Sequence, residues 1–114
     1  MQKIFSMSYK VKSIIVFEKQ TKRLLKKYPS LKNELLQLVQ SLKENPEQGV
    51  SIGKSCFKIR IAIASKGKGK SGGARIITNF IITDDTVYLL SIYDKSEKGN
   101  ITDKELEELL KYLP

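Results

Sequence analysis

The chain has 114 residues, 40% hydrophobic and 29% charged, enough for one compact core and too few for a second. Lysine and arginine outnumber aspartate and glutamate by 21 to 12, a formal charge of +9 that points to a polyanionic partner, nucleic acid first and an acidic protein second. A single cysteine, Cys56, and no histidine exclude an internal disulfide and leave a structural zinc site without its usual ligands, so neither metal nor cofactor is expected.

Met1 to Phe17 is interrupted by Lys3, Lys10 and Lys12 and lacks the long uncharged run of a signal peptide or membrane span, so the expectation is a cytoplasmic protein with no membrane partner. Residues 1–8 are read as a disordered N-terminal extension, with Met7 an alternative start, and residues 9–114 as a single domain. Tyr9 to Phe17, with Val11, Ile14, Ile15 and Val16, predicts a first strand. Glu18 to Lys27 predicts a helix that stops before Tyr28-Pro29, because the residue ahead of proline leaves the helical region. Ser30 is the expected cap of a second helix, in which Leu31, Leu35, Leu38, Val39 and Leu42 recur at helical spacing until Asn45-Pro46. Together the two form a helical hairpin.

Glu47 to Ser55 reads as a loop. Beyond it Phe57, Ile59, Ile61 and Ile63 alternate with Lys58, Arg60, Ala62 and Ala64, a strand with one apolar and one basic face. Ser65 to Gly73 holds four glycines and no apolar side chain, a mobile loop between strands. Ala74 to Thr83 and Thr86 to Asp94 are expected as central strands turning at Asp84-Asp85, with Phe57, Phe80 and Tyr88 in the core. Thr102 with Glu105 forms a capping-box pattern ahead of Leu106, Leu109, Leu110 and Leu113, the apolar side of a last helix. The fold class is α+β: an N-terminal strand, a helical hairpin, a three-stranded antiparallel sheet portion and a C-terminal helix.

Between Gln48 and Thr83 there is no acidic residue, whereas Lys54, Lys58, Arg60, Lys66, Lys68, Lys70 and Arg75 all fall there. Gly67-Lys68-Gly69-Lys70-Ser71-Gly72 fits the G-x-G-x-x-G template, but a nucleotide-binding loop must open a helix, and here a β-rich segment follows. Lys58 and Arg60 project from one face of their strand, and Arg75 can come alongside them. Such a cluster of like charges is kept together by an anion that occupies it, the alternative being a solvated sheet face. Tyr93 and Lys95 share a strand parity. For Tyr93 the competing role is a core aromatic, and for Lys95 a charge at a strand end. Asp84 and Asp85 are turn residues with no third ligand for a metal.

In the order of Cys56-Phe57-Lys58-Ile59-Arg60, the glycine-lysine loop, Gly73-Ala74-Arg75-Ile76-Ile77 and Leu89-Leu90-Ser91-Ile92-Tyr93-Asp94-Lys95 behind a helical hairpin, Val11 to Leu113 resembles the RelE/ParE toxins, in particular the HigB-like branch. The resemblance implies a RelE-like fold and a metal-independent, ribosome-dependent mRNA endonuclease whose partners are mRNA on the ribosome and an antitoxin carrying a helix-turn-helix. Lys58 and Arg60 match the family's two basic residues of the second strand, Arg75 its third-strand arginine, and Lys95 stands near a basic residue after the last strand. The roles implied are Lys58 as base, provided the surrounding cations favour its neutral form, Arg60 and Arg75 as phosphate clamp, Lys95 as acid, and Tyr93 stacking on or orienting a nucleobase. Lys54, Lys66, Lys68, Lys70 and Lys98 are expected to bind RNA. The sequence departs from the family where a late tyrosine has no counterpart among Asn100, Ile101 and Thr102, and where Arg60, a poor proton acceptor, replaces a lysine. A ParE-like toxin acting on DNA gyrase, or a non-catalytic RNA-binding module, therefore stays open beside the nuclease.

Overall fold

The β-branched run near the start of the chain divides between two elements. In the computed structural model, which describes residues 8–67, 69 and 72–114, only Lys10–Ser13 is a strand (β1), and Ile15–Lys27 is already helical (α1). Strand was expected as far as Phe17. Instead Phe17 and Leu24, two helical turns apart, are the buried residues of α1, and burying that face outweighs the β preference of Ile15 and Val16. The helix ends at Tyr28, ahead of Pro29, as the proline dictates.

Leu31–Glu44 forms the second helix (α2), with Leu31, Leu38 and Leu42 buried. Ser30 does not cap it through its side chain: its own backbone is helical (φ −62°, ψ −20°), which takes Oγ away from the capping position. The segment expected as a loop before Cys56 contains a short edge strand, Val50–Gly53 (β2), too brief and too exposed to carry an alternating pattern. It turns through Lys54 and Ser55, both at positive φ, into Cys56–Ile61 (β3). Two non-glycine residues in that region are strained, and the buried Asn79 side chain holds them by donating to both carbonyls at 3.3 Å.

Ala74–Ile81 (β4) and Thr86–Asp94 (β5) are the buried strands, joined through a 3-10 turn and a left-handed Asp85. Phe80 is in the core as expected, while Phe57 and Tyr88 are half-buried. Sheet order is β1-β5-β4-β3-β2, antiparallel except that β1 runs parallel to the first half of β5. The three-stranded portion expected is thus extended by one strand at either edge.

The hairpin α1–α2 packs on the face that carries Ile59, Ile61, Ile76 and Leu89. Asp103–Leu110 (α3) follows the capping box anticipated for it: Thr102 Oγ1 accepts from Glu105 N at 3.1 Å and Glu105 Oε1 from Thr102 N at 3.0 Å. Contacts from Lys54 to Glu107 and from Lys58 to Asn100 bring this last segment over the opposite face. Among the described residues no helix is long and apolar enough to cross a membrane.

Candidate active site and nucleic-acid interface

Strand alternation sends Ile59 and Ile61 toward the helical hairpin and Lys58 and Arg60 to the other side. Register then sets the neighbours. Arg60 lies directly opposite Arg75 on β4, and Arg75 directly opposite Tyr93 on β5, so the three form one row across the sheet. Lys58 heads the next row, opposite Ile77, with Ser91 beyond. Side chains directly across antiparallel strands project to the same side, so Lys58, Arg60, Arg75 and Tyr93 share a face.

Exposure differs sharply along the row. Arg60 is exposed and Lys58 half-buried, but Arg75 retains 4% and Tyr93 5% of their surface. Arg75 Nη1 donates to the Ala74 carbonyl at 3.2 Å. The Tyr93 hydroxyl is buried and, among the described residues, has no hydrogen-bond partner. Burial pushes its acidity down, with Arg75 acting the other way and Glu105 adding to the upward shift, so it stays a neutral donor. Tyr93 is therefore both a core aromatic and a member of the cluster.

The C-terminal segment supplies the counter-charges that strand periodicity does not show. Lys54 Nζ meets Glu107 Oε1 at 2.8 Å, Lys98 pairs with Glu105, and Lys98 Nζ stands 6.0 Å from the Tyr93 ring centroid. Lys58 Nζ approaches Asn100 Oδ1 at 3.4 Å, a loose contact. Lys95 lies in the turn after β5, where its ammonium donates to the Gly99 carbonyl.

Lys66 stands apart from this group. It closes the 3-10 turn Ala64–Lys66 and binds Asp94 Oδ1 at 2.7 Å. Asp94, fully buried, also accepts from Ser96 N and Oγ at 2.9 and 2.8 Å and from the Tyr28 hydroxyl at 3.0 Å. Expected as a mobile RNA-binding side chain, Lys66 is instead the partner of a buried carboxylate. A charged residue inside the apolar run Thr86 to Asp94 was the available signal, since such a group needs a cation and donors. Lys68 and Lys70 lie outside the described residues. Where the loop returns, a Cβ on Gly73 would come within 2.0 Å of the Ile61 carbonyl oxygen, so only glycine fits there. No group of three or more His, Cys, Asp or Glu among the described residues is placed to hold a metal.

A family model described as the RelE toxin of the RelE / RelB toxin-antitoxin system matches residues 14–113. The chain belongs to the RelE toxin family. Membership makes it the toxin of a toxin-antitoxin pair, and the match takes in the whole row from Arg60 to Tyr93 together with α3. Among solved structures, an arginine double mutant of the E. coli toxin RelE in its free state is similar with a TM-score of 0.59 at 16% identity, covering 95% of this chain and all of that one. At that identity the likeness is one of fold, a RelE-type α+β architecture.

Proposed function

We propose that this RelE-family toxin is a ribosome-dependent mRNA endonuclease that works without a metal. The observation that supports it best is the register of Arg60 and Arg75 beside Lys58, three cations on one face of two paired strands that contain no carboxylate. An RNA phosphodiester suits this arrangement, the exposed Arg60 guanidinium binding its oxygens through paired hydrogen bonds and the buried Arg75 adding positive charge behind it.

In the reaction the ribose 2′-hydroxyl attacks the adjacent phosphorus. The O2′–P bond forms, the P–O5′ bond breaks, and the products are a 2′,3′-cyclic phosphate and a free 5′-hydroxyl. Lys58 takes the 2′-proton, Arg60 and Arg75 stabilise the charge that builds on the non-bridging oxygens, and Lys95 supplies the proton to the leaving 5′-oxygen after letting go of Gly99. Tyr93 orients the neighbouring nucleotide. The ribosome presents the message in a fixed conformation, which supplies the positioning that a small basic sheet lacks. Lys54, Lys98, Lys68 and Lys70 add affinity for the strand, and an antitoxin restrains the toxin in the cell.

Induced expression with and without the antitoxin tests this, with mRNA ends mapped and plasmid supercoiling followed in parallel. Cuts inside translated messages with unchanged supercoiling are expected. Intact messages with altered supercoiling would assign the toxin to gyrase instead.

A further inference from the structure

Beside Tyr93, between α1, β5 and α3, lies a cleft of about 430 Å³ whose walls include Gln20, Ser91, Lys98, Ile101, Glu105 and Leu109. It adjoins the basic row: Lys98 stands over the Tyr93 ring, Glu105 acts electrostatically on Tyr93, and Ser91 is the next residue on that face of β5. β1 covers only the first half of β5, and farther along the open edge Gln20 takes the place of a strand. Its Oε1 accepts from Ile92 N at 2.9 Å and from Ser91 Oγ at 3.1 Å. Both acceptances use the oxygen, so the geometry leaves the Gln20 Nε2 protons as donors without an acceptor among the described residues.

We infer that this cleft is a nucleobase subsite, taking the base next to the scissile phosphate, and that Gln20 selects it by donating to an acceptor on its edge. The inference rests on the nuclease reading for its position. Its chemistry stands on the cleft itself: apolar walls from Ile101 and Leu109 for a flat ring, a fixed amide donor, and Lys98, which stands over Tyr93 and exchanges its partner Glu105 for the flanking phosphate when RNA binds. Gln20 is held rigidly by β5, which is what discrimination between bases requires.

The test is Gln20→Glu. A carboxylate keeps an acceptor for Ile92 N–H and the Ser91 hydroxyl while exchanging the free donor for a second acceptor. Cut sites are mapped on translating ribosomes for both proteins. Separately, the Gln20 side-chain amide signal of isotope-labelled wild-type toxin, assigned by its absence from the variant, is followed during titration with short single-stranded RNA and with antitoxin. Expected are an amide shift with RNA and a redistribution of cuts of about tenfold, away from bases that offer an acceptor and toward those that offer an amino group. If the wild type cuts and the variant cuts with the same base distribution, the subsite is overturned while the nuclease reading stands. If the wild type never cuts but its Gln20 amide shifts with RNA, the subsite stands and the nuclease reading fails. A shift with antitoxin alone makes the cleft a protein contact and overturns the inference. A variant that unfolds is replaced by Lys104→Ala, an exposed residue that also lines the cleft, read by the same RNA titration, where unchanged affinity counts against the subsite.

Discussion

Lys66 and Asp94 meet at 2.7 Å, the carboxylate with no exposed surface and the lysine side chain 13% exposed. The pair ties the start of the glycine-lysine loop to the end of β5, beside Tyr28 at the close of α1. Removing the cation strands a buried charge, so Lys66→Met is expected to cost about 3 kcal/mol, read from urea unfolding. A midpoint equal to the wild type would mean that Ser96 and Tyr28 satisfy Asp94 without it.

Burial alone would raise the Asp94 carboxyl, but the bonds from Lys66, Ser96 and Tyr28 outweigh it and hold the group far below the ordinary carboxylate range. Near pH 4 the unfolded chain therefore binds more protons at this position than the folded one. Stability from Asp94 is complete above that pH and declines as pH falls toward the folded value. The wild type should lose stability progressively below about pH 4, and Asp94→Asn should remove that part of the slope, which unfolding curves across pH 2 to 6 would show.

Lys58 and Arg60 are accessible enough to separate chemistry from folding, whereas Arg75 is not. Lys58→Ala and Arg60→Ala should each slow single-turnover cleavage on ribosomes by roughly 10² to 10³-fold with little change in unfolding midpoint. Arg75→Ala should lose activity and stability together. Full cleavage by the Lys58 and Arg60 double variant would move the reacting groups off this face.

Glu107 holds Lys54 at 2.8 Å, so in the proposed RNA complex it competes with a phosphate for that cation. Glu107→Gln is expected to bind single-stranded RNA several-fold more tightly at low salt, an effect that fades as salt is added. Asp84→Asn in the β4–β5 turn makes the same change in net charge beyond the end of β4 opposite Arg75 and serves as the control. Equal gains from both would reduce the effect to overall charge.

Each phosphate contact on a single strand contributes about 0.7 to the slope of log affinity against log salt, so Lys68→Ala with Lys70→Ala should flatten it by about 1.4. Lys66 is left intact in this variant because its role is structural. Cleavage positions at saturating ribosomes should not change, and their loss would put a reacting group in the loop.

Most of the fold was legible where local and tertiary demands agree. The capping box at Thr102, the proline stop after Tyr28, the alternation through Ile59 and Ile61 and the span of β5 all follow from short-range rules. Ile15 and Val16 were misplaced because their β preference is local and the burial of α1 is not. β2 carries no sequence signature because only Ile52 of its four residues is even half-buried, and an exposed sheet edge needs no alternating pattern. At the site, side-chain parity placed Lys58 and Arg60 on one face, and Arg75 was anticipated beside them. What sequence could not supply was contact between distant segments: Gln20 on the β5 edge, Glu105 near Tyr93, and Lys66 bound to Asp94. None of these pairs has a spacing rule.

The parallel pairing of β1 with β5 joins segments made at opposite ends of synthesis, with Lys10 opposite Thr86. β1 leaves the ribosome well before β5 and stays unpaired until that strand follows. The same late strand brings Tyr93 and completes the row beside Arg75, so a chain released or stalled before Thr86 has neither a closed sheet nor an assembled cluster. In a toxin built this way, the row of Arg60, Arg75 and Tyr93 exists only in chains that extend through β5.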